Sequence, residues 1–194
     1  MTVQDERADA ARNRRAILEA ANQLFASSHS PRDVSMDDIA AAAGVGKGTL
    51  FRRFGDRASL VRQLYAIRLA PLREKIESGP PPLGPTAAPR ERVAAIIDAL
   101  ALVKLQNSHL MLALEEGGGP ASSVYQSPDY LAVHGLLADL IAADIDRHRA
   151  AWIAHMLLAC VRADLLRHLV EVDRMSHAKI RANLIDFVER TLSP

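Results

Sequence analysis

A single cysteine, Cys160, in 194 residues excludes an intramolecular disulfide and any multi-cysteine zinc or iron–sulfur site. Aromatic residues are only 4% of the chain, too few for a stacking cage around a planar cation. No uncharged apolar run approaches the length of a membrane span, and the opening MTVQDERADAARNRR holds no apolar stretch of signal-peptide type. A cytoplasmic protein without a membrane partner is therefore expected. The 24 basic and 23 acidic residues leave a net charge of +1 with no block of one sign, which excludes a polyelectrolyte chain. What the chain does have is 33 alanines and 25 leucines, against 12 valines and 11 isoleucines. That balance favours helix over sheet, and the expected fold class is all-α.

Periodicity divides the chain. Within 14–25, Ile17, Leu18, Ala21, Leu24 and Phe25 recur at three- and four-residue intervals, the stripe of a helix packed on a core. Ser27-Ser28-His29-Ser30-Pro31 ends it. Ser35, with Asp38 three residues on, predicts a capped short helix over 36–43. Gly44 suits a sharp left-handed turn, and a second short helix follows over 47–54. Asp56 is the next cap, opening a long helix to Ser78 in which Pro71 predicts a kink or break. The five prolines between Gly79 and Pro89 mark a junction. Further helices are expected over 89–106, 108–116 and 128–143, with Gly117-Gly118-Gly119-Pro120 as a stop. Asp146 and Ser176 cap the last two.

Functional information concentrates between Ile39 and Arg57. Ala40 is small where the next helix crosses, Gly44 turns the chain, and Ile39, Val45 and Leu50 close a miniature core, which is the pattern of a helix-turn-helix. The second short helix and the residues after it carry Lys47, Arg52, Arg53 and Arg57 against Asp56 alone. A short, basic, exposed helix suits the DNA major groove, where phosphates supply affinity and base edges supply specificity.

At these residues the chain resembles the TetR family of bacterial transcriptional regulators. The likeness covers about residues 12–65: RxxILxAAxxLF from Arg14, then SMDDIAAAAGVGKGTLFRRFGDRASL from Ser35. It implies an N-terminal three-helix DNA-binding domain, taken as 10–70, and a larger helical ligand-binding and dimerisation domain, taken as 71–194. It implies that Lys47 contacts phosphate, that Gly48 and Thr49 approach bases, and that Leu50 and Phe54 are buried. Ser35, Phe51, Arg52, Arg53 and Arg57 complete the candidate DNA-facing set. Phe51 stands where a tyrosine is usual, so a hydroxyl contact to phosphate is missing, and Arg53 replaces a common histidine as a permanent cation. Gly46 replaces the usual Ser or Thr cap, and residues 27–31 replace a glycine-containing corner with one extra residue.

The stretch AAWIAHMLLACV, 150–161, is apolar almost all round, so it must meet another helix, a ligand or a second subunit. The resemblance favours a subunit, with Ile180, Leu184, Phe187 and Val188 of the last helix completing a four-helix interface. A homodimer would present two recognition helices to a palindromic double-stranded DNA operator whose half-sites repeat at roughly 34 Å. The resemblance also implies an apolar pocket for a small hydrophobic ligand. The candidates for it are His109, Met111, Tyr125, Tyr130, His134, Trp152, His155 and Met156.

Other chemistries fit poorly. Gly44 to Thr49 superficially resembles a phosphate-binding loop, but Ala41 occupies the first glycine position, Gly48 follows the lysine, and a helix precedes it. The histidines form no HxxxH pair, no GxSxG turn exists, and Cys160 and His155 lie about 140° apart around a helix. Neither enzyme activity, a metal nor a cofactor is expected. The alternatives are a helical small-molecule carrier, which would leave DNA unbound, and a ligand-independent DNA-binding protein.

Overall fold

A computed structural model describes residues 3–28, 31–116 and 125–193. The helices are α1 (Val3–Ser27), α2 (Met36–Ala42), α3 (Lys47–Phe54), α4 (Arg57–Ser78), α5 (Pro89–Gln106) and α6 (Ser108–Glu116). After them come α7 (Pro128–Ile141), α8 (Arg147–Cys160), α9 (Ala163–Glu171) and α10 (His177–Leu192). There is no strand among the described residues. No helix among them is long and apolar enough to cross a membrane.

The described residues fall into two compact units. One holds those up to Ile67 together with His109 to Glu116; the other holds 68–108 and 125–193. The expected division at residue 70 assigns α6 to the larger part, whereas its residues from His109 onward cluster with the N-terminal helices. In the first unit α1 packs on α2 and α2 on α3. Ile17, Ala21 and Phe25 of the α1 stripe are fully buried there, as are Ile39 and Leu50 of the miniature core and Leu60 of α4.

In the second unit α5 is central, packing against α7, α9 and α10, while α7 pairs with α8. Val93, Ile96, Ile97 and Ala101 form the buried face of α5. Arg92 lies on that face too, 9% exposed, and donates to the carbonyls of Ile76 (Nη2, 2.6 Å) and Leu83 (Nε, 2.9 Å). A buried guanidinium satisfied by two carbonyls thus staples the proline-rich turn to the helix that follows it. Gly84 is required in that turn, because a Cβ there would stand 1.6 Å from the Gly79 carbonyl oxygen. Asp98 of α5 and Arg181 of α10 form a two-pronged ion pair at 2.6 and 2.7 Å.

Four expectations are corrected. Helix α1 begins at Val3 instead of near residue 14, and residues 11–15 ahead of the apolar stripe are exposed. Helix α4 continues through Pro71 without a break. A proline costs one N–H, and the buried Leu69, Leu72 and Ile76 hold the turns on both sides of it. Helix α7 stops at Ile141, two residues early. Most significantly, the segment expected as one helix after Asp146 breaks at Val161–Arg162, and α9 is a separate helix. The lysine of α5, Lys104, donates to the Val161 carbonyl at 2.7 Å and so caps the end of α8. Arg162 starts α9 by clamping Asp164 with three bonds of 3.0–3.3 Å. The expected stop at 117–120 and the corner residues His29 and Ser30 lie outside the described residues.

Candidate nucleic-acid interface

Helix α2 has seven residues, too few to persist alone, so its ends must be held. At its start Ser35 and Asp38 form the expected capping box. The Asp38 N–H donates to Ser35 Oγ at 3.1 Å, and the Ser35 N–H donates to Asp38 Oδ2 at 3.0 Å. The serine hydroxyl also donates to the same carboxylate at 2.6 Å, and these bonds hold the Asp38 carboxyl below its ordinary pKa. At its end Gly44 takes φ +65°, with Gly44 N–H on the Ala41 carbonyl (3.1 Å) and Val45 N–H on that of Ala40 (3.0 Å). This is the Schellman arrangement, and only glycine adopts that φ without strain.

The turn delivers α3. No side chain caps it at Gly46, as the loss of Ser or Thr there implies. Leu50 and Phe54, one turn apart, face inward and are buried. Lys47, Gly48, Phe51 and Arg52 are exposed, with Phe51 at 47%, and Thr49 is half-buried beside them. Asp56 then accepts from the Ser59 N–H at 2.7 Å, which holds its carboxyl below the ordinary value and opens α4.

Not every candidate cation is free for DNA. Lys47 pairs with Asp37 of α2, both being well exposed. Arg53 is half-buried and donates to the Ala10 carbonyl of α1. Arg57 turns inward, its donors bound to the carbonyls of Pro31, Val34 and Ala113. The Ser35 hydroxyl is engaged in its cap. Ser35 and Arg57, both expected to face DNA, thus have their polar groups bonded within the chain: sequence spacing marks a cation, but the direction of its side chain depends on carbonyls distant in the chain.

A family model for bacterial regulatory proteins of the tetR family matches residues 17–64, which include all of α2 and α3. An HTH-type transcriptional regulator of Staphylococcus aureus (strain bovine RF122 / ET3-1) is 31% identical over 140 residues, 72% of this chain and 73% of that protein. The chain belongs to the TetR family. A second HTH-type regulator, from S. aureus strain MSSA476, is 26% identical over 195 residues, covering 95% of this chain and 98% of the relative. The Thermus thermophilus FadR structure, a TetR-family transcriptional repressor in complex with lauroyl-CoA, shares the fold at a TM-score of 0.65 and 19% identity. The match covers 92% of each chain. Membership makes this TetR-family chain a DNA-binding transcriptional regulator and not an enzyme.

In the larger unit the candidates for ligand binding divide. Tyr130, His134 and His155 come together across α7 and α8: the two imidazoles stack with centroids 3.8 Å apart, and the Tyr130 hydroxyl lies 2.6 Å from His155 Nδ1. His134 Nε2 lies 3.0 Å from the Ala151 carbonyl. Desolvation, then the charge of His134, lowers the His155 pKa, and desolvation raises that of Tyr130, so the phenol keeps its proton and donates to a neutral ring. Tyr125 meets Tyr130 edge-on at 5.2 Å, and its hydroxyl accepts from Arg162 at 3.2 Å. This cluster stands at the surface. Trp152 is 62% exposed and Met156 41%, so both face outward instead of into a cavity. His109 and Met111 belong to the other unit.

A cleft of about 220 Å³ in the larger unit is lined by Val93, Ile141, Ile153 and Leu192, with Arg90 and Arg149 among its polar residues. None of the eight candidates lines it. Sequence reading missed it because its walls come from four helices, with no local pattern to mark them. Of the residues expected at a subunit interface, Ile180 and Val188 are buried within their own chain, Leu184 is half-buried and Phe187 is exposed. Among the described residues no three His, Cys, Asp or Glu side chains are placed to hold a metal ion.

Proposed function

We propose that this TetR-family regulator is a cytoplasmic repressor that binds a palindromic operator as a homodimer and reads it with α3. The observation that carries this reading is the outward face of α3. Lys47 supplies a phosphate contact, Gly48 leaves room for the backbone to approach the bases, and Thr49 and Arg52 reach base edges and phosphate. Phe51 has no hydroxyl for phosphate and instead offers apolar contact, for which a thymine methyl is a fitting partner. Trp152, Met156 and Phe187 are large apolar groups left in solvent, and pairing with a second copy would bury them.

Release follows from a small hydrophobic ligand in the larger unit. The acyl-CoA bound by T. thermophilus FadR is in keeping with an apolar ligand of this kind. Such a ligand must bind better to a conformation whose recognition helices are misplaced; equal affinity for both states shifts nothing. Helix α4, whose residues belong to both units, is the covalent path. The exposure of Trp152, His155 and Met156 favours a second reading, a DNA-binding regulator that needs no ligand.

Titration on operator DNA at several salt concentrations tests the assignment of α3. Lys47→Ala weakens binding and lowers the salt slope by about one, whereas Thr49→Ala changes sequence preference. Unchanged isotherms for both variants would overturn it. Long-chain acyl compounds added to the complex separate the two readings by whether DNA affinity falls.

A further inference from the structure

Arg57 occupies the first position of α4, and its guanidinium is shared between two segments far apart in the chain. Nη2 donates to the Pro31 carbonyl at 2.5 Å and Nε to that of Val34 at 3.1 Å, on either side of the corner that leads into the Ser35 cap. Nη1 reaches the Ala113 carbonyl of α6 at 3.5 Å, the longest of the three. The same group lies 5.0 Å from the centroid of the Phe25 ring, itself fully buried in α1. All four partners belong to the N-terminal unit. Pro31, Val34 and Ala113 are buried, so carbonyls there depend on protein donors.

We infer that Arg57 is a positioning residue for DNA recognition, fixing the α1–α2 corner, and with it α2 and α3, while fastening that corner to α6. The inference rests on the reading of α3 as the DNA-contacting helix. Three nitrogens in one rigid plane serve two carbonyls of the corner and one of α6, and a cation over Phe25 adds to the hold. A lysine supplies a point charge on a flexible stem and cannot span that set. Helix α2 is too short to orient itself, so the corner that feeds it must be held from outside. Arg57 therefore affects operator affinity without touching phosphate, and it joins the corner that presents α3 to a helix lying about fifty residues downstream.

The test compares Arg57→Gln, Arg57→Lys and Lys47→Ala in the full-length protein on one selected operator duplex, with affinity measured across salt concentrations. Arg57→Gln is expected to weaken binding about tenfold or more with the wild-type salt slope retained, while Lys47→Ala lowers the slope by about one. Arg57→Lys keeps the charge and the fold, and it too is expected to bind several-fold more weakly. Hydrogen exchange on the same variants should rise together in peptides covering 31–36 and 110–114, with α7 and α8 unchanged. A slope reduced by about one in Arg57→Gln, with full rescue by Arg57→Lys, would make Arg57 a phosphate contact and overturn the inference. Exchange rising equally throughout, with unchanged affinity per folded molecule, would make it a general stabiliser and also overturn it. If Lys47→Ala leaves affinity and slope untouched, it is the reading of α3 that fails, whatever Arg57 does.

Discussion

The two units of this chain are built by different means. In the N-terminal unit short helices are placed by polar devices with fixed geometry: the Ser35–Asp38 box, the Gly44 turn, the Asp56 cap and the Arg57 bonds. In the larger unit helices capped by Ser127, Asp146 and Ser176 pack mainly through aliphatic side chains, and polar links such as Arg92, Lys104, the Asp98–Arg181 pair and the Tyr130–His155 contact tie together helices that this packing already places. Function that depends on precise placement lies with the first kind of construction, because a cap fixes where a helix starts and which way it points. An aliphatic core fixes only which face is inside.

Substitutions that separate placement from burial sharpen this contrast. The largest effects are expected from Leu157→Ala and Leu50→Ala, both at fully buried positions, each costing about 2–5 kcal/mol. Their consequences should differ: folded Leu157→Ala binds operator as the wild type does, whereas Leu50→Ala also loses affinity, since Leu50 seats α3. Denaturant unfolding combined with DNA titration measures both, and equal loss of affinity in the two would erase the contrast. Smaller effects, about 1 kcal/mol, are expected for Ser35→Ala, which removes a cap, and for Asp98→Ala, which removes one partner of a partly exposed ion pair. Only the first should weaken DNA binding.

The smallest effect is on pH dependence. The His155 pKa is lowered in the folded chain, so the unfolded chain takes up the proton first, near 6.5. Stability from that cluster is complete above pH 6.5 and declines as pH falls below it. The carboxyls of Asp38 and Asp56 are lowered from 3.8, so the caps hold until pH falls below that value. Urea midpoints followed by the fluorescence of Trp152, the only tryptophan, should show a decline below pH 6.5 that His155→Gln removes.

The same contrast decides what could be read in advance. Ser35, Gly44, Leu50 and Asp56 carry their roles in local chemistry, so cap, turn, buried face and helix start were legible from residue type and spacing. Arg57 was not, because its acceptors lie in residues 31–34 and at Ala113. The break at Val161–Arg162 has neither glycine nor proline to announce it; it depends on Lys104, a partner more than fifty residues away. Pro71 shows the reverse failure: a local signal for a break was overridden by the packing of Leu69, Leu72 and Ile76. Trp152 and Met156 are pocket candidates on the family resemblance, yet α8 turns them outward while Ile153, Ala154 and Leu157 take the inner face.

Selection of binding sites from a random DNA pool, run in parallel with the wild-type protein and Thr49→Ala, tests the central claim most directly. The account predicts that the wild type enriches an inverted repeat with half-sites about one helical turn apart, and that Thr49→Ala shifts the preferred bases within each half-site while keeping their spacing. No enriched sequence with the wild type, or an identical one with both proteins, would contradict it.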